Sequence, residues 1–251
     1  MVECITALLL HQRFARERSE RHAVARVVRN ASVSRSTIHI LVPWGIGEKA
    51  SLDLADESAL SLLEDVRQEV RKLWHPGIEY TFLLADSHAD LNRVPRAMSW
   101  PYAAQMYDRI TTTGSRCLRL SHLWDRSGLS PARVDRTLRR LGQAWWERFP
   151  IRGLLKAQAS RRSLCGPPEL AAMRYALARL LERPFVETAF PDHLMVFYGR
   201  REMWPLLPRL PRLLYWSCRK GVSCPPWYMT HSPASSTSLD PALQNASESL
   251  A

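Results

Sequence analysis

Residues 37–90 read TIHILVPWGIGEKASLDLADESALSLLEDVRQEVRKLWHPGIEYTFLLADSHAD. The run Thr37–Val42 is short, β-branched and apolar, the pattern of a strand covered on both faces. Asp56 is expected to cap a helix running to about Trp74, because Leu60, Leu63, Val66, Val70 and Leu73 recur at helical spacing. His75-Pro76-Gly77 ends it: proline removes a backbone donor, and glycine accepts a left-handed turn. IEYTFLLAD is then a second strand. Strand, crossover helix and strand in succession predict a parallel sheet with helices on its faces. Ligands of such sheets sit beyond the carboxyl ends of the strands. The loop Trp44–Lys49 and the stretch Asp86–Asn92 are therefore expected at one edge.

Outward from this unit, residues 5–30 read as a basic helix with Phe14, Val24, Val27 and Val28 as its apolar stripe. After residue 92 the pattern is mainly helical. A helix is expected after Pro101, and a short strand at 116–120. Ser130-Pro131 opens another helix whose core stripe is Val134, Leu138, Leu141 and Trp145. Residues 168–182 make a further helix, 193–199 a late strand, and 212–217 one more. From about residue 230 the chain is rich in Ser, Ala, Pro and Asn without aromatics, the composition of a disordered tail. The reading is an α/β, Rossmann-like parallel sheet flanked by helices, with a helical second half. Residues 1–229 form one catalytic domain and 230–251 a disordered tail.

The chain has 251 residues, 46% of them hydrophobic, enough for a sizeable core. No window approaches the roughly 18 apolar residues that span a bilayer. MVECITALLL has no basic lead and no cleavage site, so it does not read as a signal peptide. A cytoplasmic protein without a membrane partner is expected. Five scattered cysteines with no CxxC pair fit a reducing compartment and give no zinc signature. The formal net charge of +11, mostly arginine, points to a polyanion or a phosphorylated small molecule. Arg13, Arg16 and Arg21 are the expected face for an RNA.

Gly45-Ile46-Gly47 matches neither the dinucleotide fingerprint nor the phosphate-binding loop, so nucleotide binding through either is not expected. The glycines allow a tight turn and close approach to a ligand. Lys49, past the strand mouth, is placed to form a Schiff base with a carbonyl substrate if burial or a neighbouring cation depresses its pKa. Asp86, His88 and Asp90 alternate, and share one face if the strand continues through them. Asp86 and His88 are then the acid–base pair beside Lys49, and Asp90 and Asn92 extend a polar rim. No metal is expected there, and the identity of any cofactor is left open. Trp44, Gly45 and Gly47 would line the substrate loop. Arg200 and Arg201 would clamp a phosphate or carboxylate, and Trp227 and Tyr228 would close an aromatic wall.

VPWGIGEKA, DESALSLLEDV, WHPG, LLAD, FPDHLMVFY and PPWY, in that order, resemble the isocyanide (isonitrile) synthases of the pyoverdine/dityrosine biosynthesis family. The resemblance covers about residues 37–92 and 190–228. It implies an enzyme of specialised metabolism, a transferase or synthase condensing the nitrogen of an amino acid with the ketone of a pentulose phosphate, with Lys49 engaging the sugar. The chain departs from the family pattern where two glycines precede Lys49, where Asp86 is followed by Ser-His-Ala-Asp, and where Tyr228 replaces a histidine. MRYALARLLERPF followed by LMVFY is also similar to tRNA-dependent cyclodipeptide synthases, which implies tRNA as an alternative partner. Arg179 stands where that family has glutamate, and the serine after its first strand is missing.

Overall fold

The computed structural model describes residues 1–14, 18–46, 50–160, 167–197 and 201–214. In chain order the elements are α1 (Val2–Phe14), α2 (Arg18–Ser34), β1 (Ile38–Trp44), α3 (Leu54–Leu73), β2 (Ile78–Leu84), α4 (Asp86–Leu91), α5 (Arg96–Thr112) and β3 (Arg116–Arg119). There follow α6 (Leu120–Arg126), α7 (Pro131–Glu147), α8 (Arg152–Ala159), α9 (Pro168–Ala189), β4 (Leu194–Phe197), a 3-10 turn (Arg201–Leu206) and β5 (Arg212–Leu214). The strands form one sheet in the order β3-β2-β1-β4-β5, with every pairing parallel. The mixed α/β class and the flanked parallel sheet are those the sequence predicts.

Alternation along the strands explains the layers. Ile38, Ile40, Val42 and Trp44 of β1 and Ile78, Tyr80, Phe82 and Leu84 of β2 face a core closed by α1, α2, α3 and α5. Leu41, Leu83, Met195 and Phe197 face the opposite core, closed by α6, α7, α8 and α9. Both faces of β1 are thus covered, so after His39 its sequence is a continuous apolar run from Ile40 to Trp44. The register leaves three strand ends level: Trp44 pairs with Leu84, and Leu84 with Arg119.

Several local expectations are corrected. The single helix over 5–30 is two helices, α1 and α2, and Ile5 and Leu9 of one share a core with Val24 and Val28 of the other. One straight helix of that length would extend about 39 Å, against roughly 23 Å for a seven-residue strand, and could not keep both halves on the same sheet. Asp53, not Asp56, is the N-cap of α3. Asp56 occupies the third helical position and closes a capping box: Asp56 N donates to Asp53 Oδ1 (3.0 Å) and Asp53 N to Asp56 Oδ2 (3.2 Å). Pro101 lies inside α5 and does not begin it.

The α7 stripe also shifts. Val134 and Leu138 are buried as expected, but Leu141 is exposed and Trp146, not Trp145, fills the core. The cause is Gly142, whose φ of 66° and ψ of −176° interrupt the helix and re-phase its last turn. The expected helix 168–182 continues to Ala189; the late strands are present over Leu194–Phe197 and Arg212–Leu214, and beyond Phe197 and Leu214 their expected runs lie outside the described residues. The expected tail lies outside the described residues. Among the described residues, no helix is long and apolar enough to cross a membrane.

Candidate functional site

The level ends of β1, β2 and β3 open on a cavity of about 170 Å³ lined by Ile46, Asp86, Asp90, Arg96, Ser99, Trp100, Ala103, Arg119 and Ser121. Ile46 follows β1, Asp86 opens the helix after β2, and Arg119 ends β3. Asp86 is fixed by its surroundings. Its Oδ1 accepts from the backbone N–H of Ser87 (3.0 Å) and Ser121 (2.9 Å), and its Oδ2 from the Ser121 hydroxyl (2.6 Å). One carboxylate thus ties the exit of β2 to the first turn of α6.

The other wall is cationic. Arg96 Nη2 lies 3.6 Å from Asp90 Oδ2. The guanidinium carbons of Arg96 and Arg119 each lie 5.8 Å from the centroid of the Trp100 ring, within cation–π range. Trp100 is 58% exposed. The cavity therefore combines two carboxylates, two guanidinium groups and an aromatic surface, a set able to hold a ligand that carries both an amine or hydroxyl and an acidic group.

Behind the first wall, the exit of β1 is anchored through buried groups. Trp44 Nε1 donates to Tyr102 Oη (2.8 Å), which donates to Asp56 Oδ1 (3.0 Å). Burial pushes the Tyr102 hydroxyl well above its ordinary value; the Asp56 and Asp53 charges add to this, and the Trp44 bond partly opposes it. Tyr102 therefore stays a neutral donor. Trp44 belongs to this anchor and is not among the described residues that line the cavity. Gly45 is exposed, and a Cβ there would meet nothing within 4 Å, so close packing within the described chain does not require glycine.

His88 departs most from expectation. The chain after β2 is helical, not extended, so residues four apart share a face and residues two apart do not. Asp86 and Asp90 line the cavity, while His88 turns into the protein. Its Nε2 lies 2.8 Å from Glu182 Oε2, which also accepts from Trp124 Nε1 (3.1 Å); Arg179 Nη1 donates to Glu182 Oε1 (2.6 Å). The His88 ring meets Tyr175 and Trp124 edge-on, at 5.7 and 6.1 Å between centroids. Burial pushes the Glu182 carboxyl up, but His88, Arg179 and its hydrogen bonds outweigh this and hold it below the ordinary carboxylate value. The backbone N–H of Asn92 ends α4 on the His88 carbonyl, and Asn92 lines a separate cavity of about 80 Å³ with Leu155 and Tyr175. It is not part of the Asp86 rim.

Lys49, Gly47, Arg200, Trp227 and Tyr228 lie outside the described residues, as does the side chain of Arg201, whose backbone begins the 3-10 turn. Arg96, Trp100, Arg119 and Ser121 were missed by the sequence reading. Arg119 and Ser121 had a usable signal, since the strand-end rule applied to β1 and β2 applies equally to the strand expected at 116–120. Glu182 had one too: Ala178, Glu182 and Val186 recur at four-residue spacing, which sets an acid on the buried seam of α9. Among the described residues, no three His, Cys, Asp or Glu side chains are grouped to hold a metal ion.

No family model matches the chain, and no curated protein does. Among solved structures, the PvcA protein from Pseudomonas aeruginosa is similar with a TM-score of 0.60 at 13% identity, over 78% of this chain and 78% of that one. A tyrosyl-tRNA synthetase from Archaeoglobus fulgidus, solved with L-tyrosine, matches with a TM-score of 0.46 at 14% identity, over 82% of this chain and 58% of its own. The first likeness shows a shared fold.

Proposed function

We propose that the chain is a biosynthetic enzyme that works on a small molecule at the carboxyl edge of β1, β2 and β3, joining an amino acid to a sugar phosphate as the resemblance to isocyanide synthases implies. The observation that carries this reading is the convergence on one cavity of Asp86, Asp90 and Arg96, from the β2–β3 connection, with Arg119 at the end of β3. Carboxylates suit the amino group or hydroxyls of such substrates, and the guanidinium pair suits a phosphate or carboxylate. The fold shared with PvcA agrees with it.

In this reading Lys49 attacks the sugar ketone through its neutral amine. Carbon–nitrogen bond formation followed by loss of water gives an imine. Asp86, held by three donors, keeps a fixed acceptor toward the substrate amine. Incubation with ribulose 5-phosphate, borohydride reduction and peptide mapping test the step. The expected result is one adduct, on Lys49, that is lost in Lys49→Ala and reduced by at least about tenfold in Arg119→Gln, as loss of a charge-assisted phosphate contact predicts. No adduct, or adducts scattered over other lysines, overturns it.

A further inference from the structure

Residues 131–160 hold six arginines and one lysine against two acids, an excess of five positive charges in thirty residues. The helical geometry concentrates them. Val134 and Leu138 form the buried seam of α7. At about 100° per residue, Arg136 points directly away from that seam, with Arg139 and Arg140 to either side. All three are exposed and have no hydrogen bond or ion pair among the described residues. Arg148 and Arg152 continue the exposed charge past the kink at Gly142. The acid that would neutralise the row, Asp135, is taken by Arg174 at 2.8 Å. Such a row of unpaired, solvent-facing guanidinium groups repels itself, and an array of phosphates relieves that repulsion.

We infer that the outer face of α7, continued into the start of α8, is a docking surface for RNA. Every cation on the outer face of α7 is arginine. Guanidinium clamps phosphate oxygens with two parallel donors and also stacks on unpaired bases, which RNA loops present and a DNA duplex does not. A membrane surface fits less well. The face between Ala132 and Gln143 offers no large apolar side chain pointing outward to insert, because Leu141 lies on the seam side. The surface shares no residue with the cavity at the strand ends; of the arginines expected to face an RNA, Arg16 and the side chain of Arg13 lie outside the described residues.

Binding of bulk tRNA to the full chain, followed by fluorescence anisotropy across a salt series, tests this. Affinity is expected to fall as salt rises. Replacing Arg136, Arg139 and Arg140 together by Gln should lower it at least tenfold at about 0.1 M salt and flatten the log–log slope by about two. Glutamine keeps helix propensity, and an unchanged melting midpoint verifies the fold. The triple lysine variant retains the salt slope but binds more weakly, so the fork is tested even if the glutamine variant misfolds. Replacing Arg21, Arg26 and Arg29 by Gln should change neither quantity. No tRNA binding by the wild type at about 50 mM salt overturns the inference. So does an equal loss in the two glutamine triples, equal affinity for a DNA duplex, or binding confined to phosphatidylserine vesicles.

Discussion

Asp86 and His88 stand two positions apart and face opposite ways, so their substitution should produce opposite phenotypes. Asp86 lines the cavity and His88 is bound to Glu182 in the core. Removing one partner of a buried charged network costs about 3–5 kcal/mol because the remaining group stays desolvated. His88→Ala should therefore lower the unfolding free energy obtained from a denaturant titration by that amount, with Glu182→Ala at least as severe. Asp86→Asn keeps the shape of its site and should be milder; a His88→Ala protein as stable as the wild type would refute the network. The sequence spacing was not enough to foresee this. Asp86-x-His88 is equally compatible with strand and helix, and only the helix sends His88 inward. The cap of α3 misled for a related reason. Asp53 and Asp56 are both good capping residues, and the box they form is symmetric in residue type.

At the scale of elements, α7 carries its own test. Gly142 sits at a φ/ψ that residues with a Cβ essentially do not adopt, yet a Cβ there would meet no atom within 4 Å. Gly142→Ala is thus a backbone experiment free of steric clash, and should cost about 1–3 kcal/mol by thermal or denaturant unfolding. A neutral result would mean that α7 runs straight and that Trp145, not Trp146, fills the core. The elements of the β-α-β unit were legible because strand, helix and breaker signals agreed there. The α7 stripe was not, because a single glycine in a helical pattern does not announce whether the helix bends. Nor was the pairing of β1 with β4, since no local signal shows which strand, some 150 residues on, will flank the first.

Across the whole molecule, the amino end of the sheet sets a dependence on pH. Burial, with the charges of His39 and Arg116, pushes His193 down to about 4 from an ordinary 6.5. The rings of His39 and His193 lie 5.3 Å apart. Between these two values the unfolded chain binds a proton that the folded chain refuses, so stability falls as pH drops from about 6.5 toward 4. The part of this window above the carboxylate range separates His193 from Glu182, whose lowered value acts only at lower pH. His193→Phe should flatten the melting midpoint between pH 6.5 and 4.5, as followed by circular dichroism, and an unchanged slope would exclude the assignment.

The strand order has a further outcome during synthesis. β3, β2 and β1 leave the ribosome within the first half of the chain, whereas β4 and β5 emerge only after residue 193. Until then one side of β1 is an open row of backbone donors and acceptors on an apolar strand, a template for other nascent chains. The ion pair of Glu20 with Arg212, spanning 192 residues, closes that interval by joining α2 to β5. A premature stop between β3 and β4 should therefore leave an aggregation-prone chain, with the β4 side of β1 uncovered.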